Sequence, residues 1–279
     1  MLLPNIVKIL TNSGIEQNEA IAEVKILLRH FANMTEMDLL CGREIPQENL
    51  IAVEQAAKLR AQTHQPIQYI TGFAYFMGKD YVVNPSVLIP RDETEILVNE
   101  AIKIIKENNF IQVMDMCCGS GCITCSVAMN TDARILGVDI STEAIKTAFL
   151  NMERFELFNR AVFRKSDLFS KIREDEKFQM IISNPPYISP LLKPNIQEEV
   201  HFEPELALYT NDSEGLEFYQ KIIEQSPNFL ETEGYLLFEL GEGQSKSVKN
   251  ILLKNGFSGI RVIKDLAQID RVIVAQLQT

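Results

Sequence analysis

Asn184-Pro185-Pro186-Tyr187 directly follows the apolar run Phe178 to Ile182, so a buried strand is expected to end in a rigid corner carrying polar and aromatic groups. Proline has a fixed φ and pushes the residue before it out of the helical region, which holds Asn184 and Pro185 extended. Neither proline has an N–H, so the corner presents acceptors without competing donors. The Asn184 side-chain oxygen and the Pro185 carbonyl can both accept from one NH2 group, and Tyr187 offers a flat face to a planar one. That combination is a receptor for a planar amine or amide. A strand-ending turn with a capping asparagine would use the same residues, so the rest of the chain has to decide.

A second set of residues points to a nucleoside-bearing cofactor. Asp115-Met116-Cys117-Cys118-Gly119-Ser120-Gly121-Cys122 lies where a predicted strand, Ile111 to Met116, turns into a helix. Gly119 and Gly121 permit a tight turn and let a ligand approach the backbone beside the N–H groups that open the helix. Asp139 ends the next predicted strand about twenty residues on, the spacing that brings a carboxylate to ribose hydroxyls in a βαβ unit. A dinucleotide fingerprint would have glycine or alanine three residues after Gly121, where Thr124 stands. S-adenosylmethionine uses the same ribose-carboxylate logic without a pyrophosphate and suits the shorter glycine turn. Asp167, in Ser166-Asp167-Leu168-Phe169, either holds the adenine amino group or caps a helix. Cys122-x-x-Cys125 has metal-ligand spacing, but structural zinc uses two such pairs in loops, whereas Cys117, Cys118, Cys122 and Cys125 straddle a strand end and a helix. Small thiols filling tight space account for them, and no metal is expected.

These residues need a sheet to hold them. From Ile111 onward strand and helix patterns alternate, with strands at Ile111 to Met116, Arg134 to Ile140, Ala161 to Arg164, Phe178 to Ser183, Gly234 to Leu240, Gly259 to Lys264 and Asp270 to Ala275. This is a doubly wound α/β pattern. Asp265 to Ile269 is too short for a crossover, so the last two strands should pair antiparallel. A helix is predicted from Glu93 to Glu107, entered through Pro90, with Asp92, Glu93 and Glu95 suited to its N-terminus. Ahead of it, Ile6, Leu10, Ile21, Val24, Leu27, Leu28 and Phe31 recur at helical spacing, Thr35 and Asp38 have capping-box spacing, and Pro46 opens a run through Leu59. The expected division is a helical bundle over 1–75, a linker with short strands or a hairpin over 76–90, and an α/β domain over 91–279. Gln68 to Gly72, Tyr75 to Gly78 and Tyr81 to Val83 read as the extended pieces around that linker.

The net charge of −11 sets the chain against naked nucleic acid and anionic membranes. The start, Met1 to Gly14, is broken by Pro4, Asn5 and Lys8 and lacks a signal-peptide core, and no run reaches membrane-spanning length. A cytoplasmic protein with reduced thiols is the expectation.

With the corner, the glycine turn and Asp139 in place, the chain resembles the HemK/PrmC family of protein-glutamine methyltransferases that modify peptide chain release factors. The resemblance runs from Pro66 to the C-terminus. It rests on Pro66 to Gly72, Leu88-Ile89-Pro90-Arg91-Asp92-Glu93-Thr94-Glu95, the glycine turn, Asn184 to Ile188, Phe202-Glu203-Pro204 with Leu206-Ala207-Leu208, and Asp270-Arg271-Val272. It implies a class I S-adenosylmethionine-dependent methyltransferase fold: a Rossmann-like doubly wound sheet with an antiparallel last strand, preceded by a small helical substrate-recognition bundle. It also implies methyl transfer to the glutamine of a Gly-Gly-Gln loop. Carried over, Cys117, Cys118, Gly119, Ser120 and Gly121 would line the methionine end of the cofactor, Asp139 the ribose, and Asp167 with Leu168 the adenine, Asn184 also touching the cofactor. Asn184, Pro185 and Tyr187 would be catalytic. Asn184 to Tyr187, with Arg91 and Glu203, would bind substrate. The family has glycine where Cys117 stands, so this side chain must point away from the cofactor or weaken its binding. Release factors would be the partners, with neither nucleic acid nor membrane involved. Adenine-N6 or cytosine-N4 methylation of nucleic acid is the alternative reading, because those exocyclic amines fit the same receptor; it would need a basic surface that the charge balance does not supply.

Overall fold

A computed structural model of the protein describes residues 3–278. The outermost residues of the expected 1–75 and 91–279 regions, 1, 2 and 279, lie outside that range. The chain divides into two compact units, one of residues 1–73 with 197–202 and one of residues 74–196 with 203–279. The first ends just short of residue 75. It also takes in Gln197–Phe202, which no linear division of the sequence anticipates.

The first unit is helical: α1 Leu3–Thr11, α2 Gln17–Ala32, α3 Glu36–Leu40, α4 Gln47–Thr63 and α5 Ile67–Thr71. The periodic apolar residues close a core in which Leu10, Leu27, Leu28, Val53 and Ala57 are fully buried. Thr35 and Asp38 form the expected capping box. Inside this unit Arg60 is buried, donating from Nε to Glu23 Oε1 at 2.9 Å and pairing through Nη2 with Glu199. The stretch from Gln68, expected to be extended, is instead the helix α5. Pro66 sets its entry, Gly72 at φ 77° ends it, and Ile67, Tyr69 and Thr71 are buried. Burial and two well-formed ends outweigh the strand preference of these residue types.

The second unit opens at Ala74, within the hairpin of β1 Phe73–Phe76 and β2 Lys79–Val82, whose first strand straddles the division. The helix α6 follows over Asp92–Asn108, with three carboxylates in its first turn and Leu97, Val98, Ala101, Ile104 and Ile105 buried. Then come β3 Gln112–Met116, α7 Cys122–Asn130, β4 Arg134–Asp139, α8 Thr142–Arg154, β5 Ala161–Lys165, β6 Phe178–Ser183, α9 Glu205–Leu208, α10 Glu217–Gln225, β7 Leu230–Glu239, α11 Ser245–Lys254, β8 Phe257–Lys264 and β9 Asp270–Leu277. The seven-stranded sheet runs β5-β4-β3-β6-β7-β9-β8, and apolar clusters cover both of its faces. The pairs from β5 to β7 are parallel, and β9 lies antiparallel between β7 and β8. The short connection before β9 forces that reversal, as expected. β7 starts ahead of Gly234 because its pairing with β6 resumes across a register shift, with Glu233 at φ 63°.

Strand order reverses at β3, which pairs with β4 on one side and β6 on the other. Met116 lies opposite Val138 and Ser183, so Cys117, Asp139 and Asn184 all emerge at the carboxyl ends of neighbouring strands. That crevice is where an open α/β sheet binds ligands.

Candidate active site

The turn after β3 is built on left-handed residues, with φ 64° at Cys117, 52° at Gly119 and 75° at Gly121. Cys118 N–H donates to Val138 O at 2.9 Å and Gly121 N–H to Cys118 O at 2.7 Å, which folds the loop over the end of β4. Gly119 N–H donates to Asp139 Oδ2 at 2.9 Å, and Ser141 N–H to Oδ1 at 2.8 Å. The carboxylate of Asp139 is therefore oriented by two backbone donors and keeps lone pairs for hydroxyls. Burial raises its pKa, against the pull of those N–H groups. The two glycines do different work. A Cβ on Gly119 would meet nothing within 4 Å, so the backbone there borders open space, whereas one on Gly121 would lie 2.8 Å from the Phe163 ring.

Behind this turn Asp115 is fully buried and accepts at Oδ2 from Thr124 N–H at 3.0 Å and Thr124 Oγ1 at 2.6 Å. Its Oδ1 has no partner, and burial pushes the carboxyl up to about 7. The side chain at Thr124, where a dinucleotide fingerprint has its third glycine, thus anchors the strand end. Burial first, then the Asp139 and Asp115 charges, hold the Cys117 and Cys118 thiols well above their usual range, and Cys122 is pushed up to about 12. These are protonated, space-filling thiols.

A cavity of about 280 Å³ opens above the strand ends. Of the residues expected in the site, Cys117, Cys118, Gly119, Ser120, Asp139, Asp167, Leu168, Asn184 and Pro186 line it. Gly121, Pro185, Tyr187, Arg91 and Glu203 are not among its lining residues. Arg91 and Glu203 pair with each other, and Glu203 Oε2 also accepts from Ile89 N–H at 2.9 Å, which fixes the approach to α6. Asp167 is exposed at the cavity and has no helix to cap, because the chain after it forms a turn that Ser166 closes, its Oγ accepting from Lys171 N–H at 3.1 Å. Cys117 is among the residues lining the cavity, and it also packs against the apolar cluster that holds Met116, Val138 and Phe238. Sequence reasoning missed Ser86, Val87, Thr94, Asn211, Glu217, Phe218 and Lys221, which also line the wall. Their only local signal was position: Thr94 sits in the acidic helix start, Glu217, Phe218 and Lys221 on α10, and Ser86, Val87 and Asn211 in connections whose path the sequence does not specify.

At the corner after β6, Asn184 Nδ2 donates to Thr94 Oγ1 at 3.3 Å, and Thr94 Oγ1 donates to Glu239 Oε2 at 2.6 Å. Tyr187 O–H donates to Glu239 Oε1 at 3.3 Å. Glu239 closes β7 and is 2% exposed; burial pushes its carboxyl up to about 7 despite those two donors. Gln244 Nε2 donates to Tyr187 O at 3.0 Å, and a Cβ on Gly241 would lie 2.9 Å from the Tyr187 ring, so ring and backbone are both held. A carboxylate suited to hydroxyls and a held asparagine amide thus share one cavity wall. That arrangement can place an adenosine-bearing donor beside a planar amine or amide.

A protein-family model described as methyltransferase small domain matches residues 93–201, and one described as PrmC N-terminal domain matches residues 2–72. A release factor glutamine methyltransferase of Clostridium acetobutylicum is 37% identical over 256 residues, covering 90% of this chain and 89% of the relative. One of Fusobacterium nucleatum is 38% identical over 239 residues, covering 84% of this chain and 66% of that longer relative. Among solved structures, the hMettl16 catalytic domain matches with a TM-score of 0.58 at 15% identity, over 80% of this chain and 82% of that one. This last likeness is one of fold.

Proposed function

The chain belongs to the release factor glutamine methyltransferase family, and from that membership we propose that it methylates the side-chain amide nitrogen of the glutamine in the Gly-Gly-Gln motif of peptide chain release factors. The observation that carries this reading is the shared wall: Asn184 and Pro186 line the same cavity as Asp139 and the Cys117 to Ser120 turn. The cofactor is S-adenosylmethionine, which supplies an electrophilic methyl group on a sulfonium sulfur. The open space at Gly119 and the two-point support of Asp139 suit it. Asp139 would take the ribose hydroxyls, Asp167 and Leu168 the adenine, and the backbone from Cys117 to Ser120 the methionine end.

An amide nitrogen is a poor nucleophile because its lone pair is delocalised into the carbonyl. Asn184 Oδ1 and the Pro185 carbonyl accept its two N–H bonds, which holds the nitrogen with its remaining electron density toward the methyl donor. The Tyr187 ring packs on the amide plane. The nitrogen becomes acidic only once alkylated, so no side chain has to remove a proton beforehand. The helical unit recognises the release factor. The net charge of −11 supports a protein partner over nucleic acid or an anionic membrane, with the cytoplasm as the place of work. Among the described residues no helix is long and apolar enough to cross a membrane.

Intact-mass measurement of a purified release factor after incubation with this protein and S-adenosylmethionine tests the reading, beside a release factor with its loop glutamine changed to alanine. One added methyl group on the first and none on the second is the expected result. Labelled methyl appearing on DNA or RNA instead would replace it with nucleic-acid methylation.

A further inference from the structure

The hydrogen-bond chain behind Asn184 has a direction, and that direction is dictated by Glu239. An ionised carboxylate only accepts, and a threonine hydroxyl has one proton. At 2.6 Å from Glu239 Oε2, Thr94 Oγ1 gives that proton to the carboxylate. What remains on Thr94 is an acceptor, so the Asn184 group facing it at 3.3 Å has to be the NH2. The Asn184 oxygen is thereby turned the other way, toward the cavity that Asn184 and Thr94 both line. The other carboxylate oxygen takes the Tyr187 hydroxyl, so one buried group sets both the asparagine and the tyrosine of the corner.

We propose that Thr94 and Glu239 are positioning residues that fix the flip of the Asn184 amide, so that its oxygen and not its NH2 meets the substrate amide. This rests on the substrate site proposed above. Without the pair, the two flips of Asn184 differ little in energy, and the wrong one sets NH2 against NH2.

The carboxylate makes the arrangement reversible. A proton on Glu239 Oε2 turns that oxygen into a donor to Thr94; Thr94 then donates to Asn184 Oδ1, and the NH2 faces the cavity. The groups around this proton are Thr94 and Glu93 from α6, the Cys122 thiol from α7, Arg271 from β9 and Tyr187 from the corner, with Tyr219 of α10 donating to the Glu239 backbone carbonyl at 2.8 Å. Arg271 is itself shared with Asp265 at 2.9 Å and Glu93 at 3.9 Å. With the carboxyl near 7, both states are reached around neutrality.

The test uses the full-length wild type, Thr94→Val and Thr94→Ser. Each is assayed for methyl transfer to the release factor between about pH 6 and about pH 8.5, with cofactor affinity measured by calorimetry. Wild type and Thr94→Ser should share an acid limb in kcat centred near neutrality. Thr94→Val should lose at least about tenfold in kcat, lose the acid limb, and keep cofactor affinity within about twofold. Thr94→Val matching wild type in rate and pH profile would overturn the assignment, as would equal slowing of Thr94→Val and Thr94→Ser, or parallel losses in rate and cofactor affinity. A second readout needs no substrate. The Asn184 side-chain NH2 resonance, identified by its absence from Asn184→Ala, should shift with pH through neutrality in wild type and stay fixed in Thr94→Val; a resonance insensitive to pH in both overturns the proposal. If the wild type transfers nothing to the release factor, the proposed function falls and the resonance alone decides the positioning role.

Discussion

Replacing Asp115 by asparagine should make the protein more stable in mild alkali and erase part of its response to pH. Asp115 is fully buried, with Oδ2 bound by Thr124 and Oδ1 without a partner, and its carboxyl is raised from 3.8 to about 7. A folded-state pKa above the unfolded value means that the folded chain holds its proton where the unfolded chain has lost it. The stability this confers is fully present below 3.8 and is lost as pH rises through about 7. The whole span corresponds to about 4 kcal/mol, of which about 3 kcal/mol falls between pH 5 and pH 8. Asparagine keeps an oxygen for both Thr124 donors and carries no charge. Its NH2 would take the orphan position and give back about 1–2 kcal/mol as an unpaired donor. The net expectation is a variant about 2 kcal/mol more stable than wild type at pH 8, with the advantage reversed near pH 5. Urea unfolding of both proteins at both pH values measures it, and Glu239 titrates in both, so it cancels from the difference. A stability difference that is the same at pH 5 and pH 8, or a variant less stable at pH 8, would refute the reasoning.

Other substitutions test separate parts of the molecule. Asn184→Ala should lose turnover by about a hundredfold while S-adenosylmethionine affinity stays within a few-fold, measured by steady-state kinetics beside calorimetry; equal losses would place Asn184 in cofactor binding instead. Cys117→Gly removes a side chain from the cavity wall and relieves a left-handed backbone that costs a non-glycine residue about 1 kcal/mol, so cofactor binding should tighten several-fold. Weaker binding in calorimetry would make the thiol a cofactor contact. Arg60→Ala strips the counter-charge from buried Glu23 and from Glu199 and should cost about 3–5 kcal/mol in urea unfolding, whereas a loss under about 1 kcal/mol would mean that water reaches the pair.

Local rules carried far where one strong signal stood alone. Phe178–Ser183 forms a strand with the ends the sequence implied, because an apolar run buried on both faces is stopped by a residue held extended before proline. The helix from Asp92 follows from Pro90, the acidic first turn and the spacing of Leu97, Ala101 and Ile104. The reversal at β9 follows from a connection too short to cross over. Asp139 was legible as a carboxylate closing an apolar strand, and Glu239 carries the same signature after Leu236-Leu237-Phe238, though nothing nearby in sequence said what it would face. Gln68 to Gly72 misled because its residue types favour strands in general, while the helix there is set by its ends and by what Ile67, Tyr69 and Thr71 pack against.

By itself the sequence determined the residue kinds at the site, the alternation that makes the sheet, and the family resemblance. It could not determine the order β5-β4-β3-β6-β7-β9-β8, since alternation constrains handedness and direction but not which strands become neighbours. It could not tell that Cys117 would take a left-handed φ at the cavity wall, or that Arg91 and Glu203 would pair with each other. Above all it could not join Thr94 to Glu239, which lie 145 positions apart. A hydrogen bond needs its atoms within about 3 Å, and over such a separation only the packing of α6 against the end of β7 brings them that close.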